Sequence, residues 1–410
     1  MLLFLRRESL WIPVILLIIM IGCWSELDLY APSFPQMMHY FSTSEQMMQW
    51  TLSLNFLGFF LASLLCGPLA DSFGRRKIIL AGSLIFVLGS YICLRAPTMG
   101  WMLFGRLVQG IGVSAPVTVC MAVIADIYQG ERQVKLLSRV NSAITVSMAL
   151  APVVGVYLTD SFGWHANFVA IFIVALFGAI TIWLFVPETH DQDLRVRFKA
   201  KSLIDGYWTL LKSKEFMADC LGLCLSVTPY FILVGILPLL FMEEMGVPIK
   251  QYTFYQGSII GLYSALSLSL PWILAKFEMN KVVFFSVVMS MGALLVSFVC
   301  SLLFPMTPVF VLLLMLIYVA GIVVPPTVMF SGAMDRFPEL RACASSLIQS
   351  LRMLSMSVGT AITGMVYDGS FRAISLVMLS FMALSIPATI AAFQRRARSS
   401  AASTLSHAMH

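Results

Sequence analysis

The chain has 410 residues, 59% of them hydrophobic and only 11% charged, with a mean hydropathy of +0.90. Soluble domains carry about 25% charged residues, so a water-soluble globule is excluded and the chain reads as a membrane protein. The net charge of +6 follows membrane orientation, as its placement below shows, which leaves a nucleic-acid partner without support.

Strands of a membrane barrel alternate apolar and polar residues. Here the apolar stretches run unbroken for about 20 residues, the length of a helix that crosses a bilayer. Spans are expected at 10–31, 49–70, 78–96, 100–125, 137–159, 165–186, 216–241, 253–275, 282–303, 307–331, 343–365 and 373–393, twelve in all. Arg6 and Arg7 before the first span resemble a signal peptide, but no small-residue cleavage site follows, so the span reads as retained. With a cytoplasmic N-terminus, 21 of the 26 Lys and Arg fall in inner segments and three (Arg95, Lys250, Arg372) in outer loops. That split obeys the positive-inside rule. The other two, Arg106 and Arg352, lie inside spans.

The first span ends in SELDLY (25–30), placing Glu26 and Asp28 where ionised groups cost several kcal/mol unless paired or hydrated. The two acids lie about 200° apart on an ideal helix, so both are not expected to face one cavity squarely. Arg106, in RLVQGIG (106–112) of the fourth span, sits about 9 Å from the outer end at 1.5 Å per residue. Asp28 approaches that depth from the first span and is the expected partner, leaving Glu26 as a proton or cationic-substrate site. A neighbouring arginine and a dry wall act oppositely on a carboxyl's proton affinity, which is what proton coupling requires. A static pair tying the two spans is the other reading.

Between the second and third spans lies GPLADSFGRRKIIL (67–80). Small Gly67 lets helices approach closely, and Gly74 permits a turn with positive φ. Asp71 can accept hydrogen bonds from Arg75 or a neighbouring helix terminus, and with Arg76 this forms an expected inner-gate latch. In the fifth span, Pro152 of ALAPVVGV (149–156) is expected to bend the helix and open its backbone.

The longest charged segment, 188–215, divides six spans from six, and Leu203, Tyr207, Leu210 and Leu211 give it an amphipathic face suited to an interfacial helix. GIGVSAP (110–116) returns as GIVVPP (321–326). Similar halves imply a site between them near the midplane. The expected domains are 1–187, a linker at 188–215, 216–394 and a cytoplasmic tail at 395–410. Acids of the second half read as terminal or loop residues, so Arg352 in the eleventh span lacks an obvious partner. It can receive an anionic substrate group, snorkel, or meet Glu26 across the cavity. Tyr30, Asn55, Gln109, Asn141, Tyr230 and Gln349 are expected to line the substrate cavity with it. The 26 methionines suit a surface that accepts varied ligands. Eight cysteines without a CxxC pair read as packing groups, and five scattered histidines show no ligand spacing. Neither a metal site nor a cofactor is expected.

GPLADSFGRRKIIL resembles the major-facilitator signature G-x-L-A-D-x-x-G-R-R/K-x-x-x-L, with Ser72 where many members have Arg or Lys. RLVQGIG resembles that family's R-x-x-x-G-x-G pattern. DLYAPSFP (28–35) is similar to the D-x-Y-x-P-x-x-P start of the bicyclomycin/chloramphenicol-resistance (Bcr/CflA) branch. ADIY (125–128), FGWHANF (162–168), PET (187–189) and DRFPELRACASSL (335–347) also resemble that branch. ALAPVVGV departs from the antiporter element, with Val156 in place of its second glycine. The resemblance implies an all-α membrane protein with twelve transmembrane helices in two pseudo-symmetric halves, both termini cytoplasmic. It further implies a proton-coupled antiporter that exports small amphipathic drugs across the bacterial inner membrane by alternating access, and a monomer is expected. A dedicated exporter of an endogenous metabolite, such as a siderophore or amino acid, is the alternative. An integral-membrane enzyme or receptor is remote. No nucleophile–base pair or metal cluster is visible, and the longest non-membrane segment has 28 residues.

Overall fold

The computed structural model describes residues 11–128, 130–189 and 200–408. Arg6, Arg7 and linker residues 190–199 lie outside the described residues. In chain order the helices are α1 (Trp11–Tyr30), α2 (Phe34–Phe41), α3 (Glu45–Phe73), α4 (Arg75–Leu94), α5 (Met99–Ile127), α6 (Gly130–Phe162) and α7 (His165–Phe185). There follow α8 (Ala200–Lys212), α9 (Lys214–Pro238), α10 (Ile249–Lys276), α11 (Met279–Leu303), α12 (Pro308–Ile322), α13 (Val324–Arg336), α14 (Arg341–Val366) and α15 (Phe371–Ala408). No strand occurs among the described residues.

Each expected span falls on helix, the tenth (307–331) on two, α12 and α13, because an unbroken apolar run satisfies its backbone only by hydrogen bonding within the segment. Eleven helices among the described residues are long and apolar enough to cross a membrane. The expected eleventh span is α14, 26 residues long, but Arg341, Arg352 and its serines and threonines dilute its apolar character. Breaks fall where backbone chemistry demands them. Gly74, at φ +103°, ends α3 and turns the chain into α4, as the sequence predicts. Pro325 and Pro326 at the start of α13 separate it from α12, whereas α5 continues through its single Pro116. After Pro238, α9 widens into a π-helical turn at Leu239–Glu244.

Close helix approach is set by glycine. A Cβ on Gly110 would lie 1.9 Å from the Asn55 carbonyl oxygen, and one on Gly112 would lie 2.2 Å from the Phe86 nitrogen. α5 is therefore seated directly on the backbones of α3 and α4. In the second half Gly321 also seats its helix closely on a neighbour, a Cβ there lying 2.3 Å from Ser290 Oγ of α11, whereas Gly110, its counterpart in the repeat, touches α3.

The halves meet chiefly along α3 and α14. Ser53 Oγ donates to the Ser357 carbonyl at 2.9 Å, Ser357 Oγ donates back to the Ser53 carbonyl at 2.8 Å, and the Ser63 and Ser350 hydroxyls lie 2.6 Å apart. Gln49 Nε2 donates to the Gly235 carbonyl of α9 at 3.0 Å, at the end of the bundle that carries α2. There His39 Nε2 also lies 3.5 Å from Glu243. On the opposite side Ser264 of α10 reaches the Thr145 carbonyl of α6 at 3.3 Å. The amphipathic linker helix α8 turns Tyr207 and Leu210 toward the protein, with Tyr207 Oη donating to the Leu64 carbonyl at 2.6 Å. Ile204, Trp208 and Leu211 are exposed.

Adding a methyl group where α5 touches α3 is expected to be costly. Gly110→Ala should lower the thermal midpoint of the purified protein, matching an overpacking loss of about 1–3 kcal/mol. Gly257→Ala, where a Cβ meets nothing within 4 Å, should leave it unchanged. Equal midpoints for the two variants would refute the close-contact reading.

Candidate functional site

The polar centre of the first half is assembled by α1, α3, α4 and α5. Arg106 is 0% exposed and Glu26 1% exposed, and Arg106 Nη1 lies 3.1 Å from Glu26 Oε2. Asn55 Nδ2 donates to the other carboxylate oxygen, Oε1, at 2.8 Å. Gln109, one turn along α5, accepts from Arg106 Nη1 and donates through Nε2 to Ser90 Oγ at 3.0 Å. Arg106 Nε reaches the Thr51 carbonyl at 3.4 Å, and its guanidinium lies 4.3 Å from the centre of the Tyr30 ring. The Tyr30 and Thr51 hydroxyls close the ring of contacts at 2.9 Å. Two desolvated charges repay their hydration only when their remaining lone pairs and protons are also matched; both Glu26 oxygens and Arg106 Nε and Nη1 are matched here, while Arg106 Nη2 is left without a hydrogen-bond partner.

The expected pairing of Asp28 with Arg106 is therefore corrected. Matching depth and the DLYAPSFP pattern made Asp28 the candidate, but helical phase decides. The turn of about 200° between the acids points Glu26 into the first half and Asp28 toward the second. Asp28 is 7% exposed and has no ion pair among the described residues. Tyr230 and Tyr252, both from the second half, lie within its electrostatic range.

Both acids nevertheless border one small cavity of about 30 Å³, lined also by Trp24, Asn55, Phe231 and Met353. At about 10–15 Å³ per water this holds about two. α1 stays helical through Tyr30, so the cavity wraps around the helix, meeting Cys23, Trp24 and Leu27 between the acids.

Arg352 meets neither Glu26 nor another acid among the described residues. Its Nη2 donates to Gln349 Oε1, and its guanidinium sits 5.9 Å from the centre of the Trp24 ring of α1. Arg352 Nε and Gln349 Nε2 are buried without a hydrogen-bond partner. Tyr230 stacks on Tyr263 with ring centroids 4.5 Å apart. Asn141 is exposed on α6 and stands apart from this network.

At the α3–α4 turn, Asp71 accepts from Arg75, and Arg75 Nε lies 3.1 Å from Asp126 Oδ2 at the end of α5. The Arg75 backbone N–H donates to Glu188 Oε1 at 2.9 Å, and Arg76 donates to the Trp183 carbonyl. These contacts tie the turn to α5 and the end of α7, all within the first half. Gly67 instead faces the second half, where a Cβ would lie 2.8 Å from Ser346 Oγ. α6 runs on through Pro152, and three residues later Gly155 rests on the Leu29 carbonyl. In the second half, Asp219 is fully buried in α9 with Arg336 Nε 3.0 Å away, against the expectation of a terminal acid. No cluster of three or more His, Cys, Asp or Glu side chains able to hold a metal occurs among the described residues.

Among the buried polar residues that escaped the sequence reading are Tyr252, Gln256 and Tyr318. The spacing of Tyr252, Gln256 and Tyr263 at i, i+4 and i+11 was the available signal, because it places them on one helix face.

The model of the Major Facilitator Superfamily matches residues 14–360. A "Bicyclomycin resistance protein homolog" of Haemophilus influenzae is 28% identical over 351 residues, covering 83% of this chain and 86% of its own length. "Multidrug resistance protein MdtL" of Shewanella oneidensis is 26% identical over 352 residues, covering 86% of this chain and 88% of its own. Among solved structures, an inward-facing, unoccupied bacterial homolog of the human lysosomal transporter Spinster superposes with a TM-score of 0.73 at 15% identity, covering 95% of this chain and 97% of that one. A D-xylose–proton symporter gives 0.70 at 14%, covering 92% and 97%. A family match over most of the length, on a helical fold shared with solved transporters, shows that this multi-pass membrane chain belongs to the Major Facilitator Superfamily.

Proposed function

We propose that the protein is a proton-coupled exporter of small amphipathic compounds across the bacterial inner membrane, working as a monomer by alternating access. The observation that carries the reading is the unequal pair of acids on one cavity. Glu26 has a fixed counter-ion in Arg106, and Asp28 has no ion pair among the described residues while facing the opposite half. A buried carboxylate without a counter-charge is expensive. Either a proton or a cationic group of the cargo relieves that cost, so the two compete at Asp28. This competition is the exchange an antiporter needs.

The names of the relatives, a bicyclomycin resistance homolog and multidrug resistance proteins, support drug export. They lend nothing to a siderophore or amino-acid exporter. The reading includes twelve spans, with α14 crossing beside α3, and halves divided at 188–215. Both termini lie on the inner side, which the Lys and Arg distribution favours. Arg75, Asp71 and Asp126 then lock the inner end of the first half as one body, and the serine contacts between α3 and α14 form the seam about which the halves rock. Each such hydrogen bond contributes only about 0.5–1.5 kcal/mol net, so the seam can exchange partners during the cycle.

The two acids are expected to respond differently to neutralisation. In proteoliposomes with an imposed pH gradient, Asp28→Asn should abolish uphill transport while downhill movement and the thermal midpoint stay near wild type. Undiminished uphill transport by that variant would remove Asp28 as the coupling acid. Glu26→Gln strands Arg106 in a dry site, and breaking a buried pair costs about 3–5 kcal/mol. Its thermal midpoint should therefore fall well below that of Asp28→Asn, and a midpoint equal to wild type would contradict the anchoring role of Glu26.

A further inference from the structure

The linker helix α8 is held by the protein on one side. Leu203, Gly206, Tyr207 and Leu210 fall within about 100° of one another around it. Leu210 is fully buried, and a Cβ on Gly206 would lie 3.5 Å from Cys343 Sγ of α14. Tyr207 reaches farthest. Its hydroxyl donates to the Leu64 carbonyl of α3 at 2.6 Å and stands beside Ser346 of α14. One side chain of the linker thus touches both halves where they meet, at the end of the bundle opposite α2.

A second, apolar face of α8 is left bare. Ile204, Trp208 and Leu211 are exposed and lie within about 60° of one another around the helix. Leu61 and Leu65 of α3, on either side of the Leu64 that Tyr207 holds, are exposed as well. Leucines exposed on a membrane span face acyl chains, which are as apolar as they are. α8 therefore sits at the edge of the bundle with lipid alongside. Charge says which lipid. Lys201 and Lys212 flank the apolar face, and Lys212 Nζ lies 5.2 Å from the centre of the Trp208 ring. Residues 200–214 carry Lys201, Lys212 and Lys214 against one acid, Asp205, which lies farther round from the apolar face than either flanking lysine. An apolar strip edged by lysines is the pattern of a helix that binds an anionic leaflet. Lysine stems lie along acyl chains while their heads reach phosphate.

We propose that α8 is a binding surface for anionic phospholipid of the inner leaflet. Ile204, Trp208 and Leu211 enter the acyl region, and Lys201 and Lys212 hold the headgroup phosphates. Lipid bound there keeps α8 against the bundle and so keeps Tyr207 seated between Leu64 and Ser346, favouring the closed seam of α3 and α14 at that end. The inference uses the inner-side placement of 188–215 and does not depend on what the protein exports.

The test uses the purified full-length protein in nanodiscs of phosphatidylcholine with or without phosphatidylglycerol. Quenching of Trp208 by brominated acyl chains is read as the difference between wild type and Trp208→Ser. It should be stronger when the brominated lipid is phosphatidylglycerol than when it is phosphatidylcholine. Lys201→Gln combined with Lys212→Gln should remove that preference, weakening phosphatidylglycerol binding about fivefold for each lysine lost. Seam closure is read from the rate of disulfide formation between Ser63→Cys and Ser350→Cys, whose native hydroxyls lie 2.6 Å apart. Phosphatidylglycerol should speed that reaction, and adding Tyr207→Phe, which keeps the ring, should abolish the lipid's effect while Trp208 quenching persists. Absence of quenching at Trp208 would overturn the surface, since α8 would then lie clear of the membrane. Equal quenching by the two lipids would show contact without headgroup recognition and overturn it too. A disulfide rate that responds to phosphatidylglycerol equally with and without Tyr207→Phe would overturn the link to the seam.

Discussion

The buried pair of Glu26 and Arg106 is the interaction on which the first half depends. Arg106 is the largest fully buried side chain among the described residues, and it can lie there only because three other helices serve it. α1 supplies the carboxylate, α3 supplies Asn55 and the Thr51 carbonyl, and α4 supplies Ser90 by way of Gln109. These contacts fix the rotation of α1 and α5 about their own axes as well as their separation. Gly110 and Gly112 are the steric side of the same constraint, since without a Cβ at either position the backbones of α3 and α4 come close enough for Asn55 and Ser90 to reach. Charge and close packing thus specify one another, and the pair anchors a rigid body.

The boundary between halves follows the opposite principle. Along α3 and α14 the contacts are serine hydroxyls on serine carbonyls and hydroxyls, small neutral groups whose bonds are easily traded for others of like strength. At the end carrying α2, Gln49 and His39 reach the second half through a carbonyl and a partly exposed carboxylate. Among the described residues the arginine–carboxylate pairs stay inside each half: Arg75 with Asp71 and Asp126 in one, Arg336 with Asp219 and Glu215 in the other. A transporter that rocks two bodies against each other needs this separation of strong from weak.

The helices were legible in the sequence because each apolar run must satisfy its own backbone in a membrane. The turn at Gly74 and the Asp71–Arg75 contact were legible for equally local reasons. The partner of Arg106 was not. Residue counting gives depth to within a turn, but which of two acids meets an arginine depends on the azimuth of α1, and that is set by Gly155 resting on the Leu29 carbonyl and by the fit of α5 against α3. The pattern of Tyr252, Gln256 and Tyr263 had a readable period, yet apolar neighbours such as Ile259 and Ile260 share that buried side of the helix and mask it. Asn141 shows the converse, a polar residue inside an apolar span that is exposed on α6, apart from the Arg106 network.

The two halves differ in the charge they hold in and beside their common cavity. The first carries Glu26, Arg106 and Asp28; the second carries Arg352, held by Gln349 and facing Trp24 of α1. With both acids ionised these four groups sum to zero. On the proposed mechanism a proton on Asp28 leaves one positive charge between the halves, and in a low-dielectric space that charge repels a cationic cargo strongly. Proton entry therefore expels a cation, and cation entry expels a proton, without any contact changing inside the Glu26–Arg106 network.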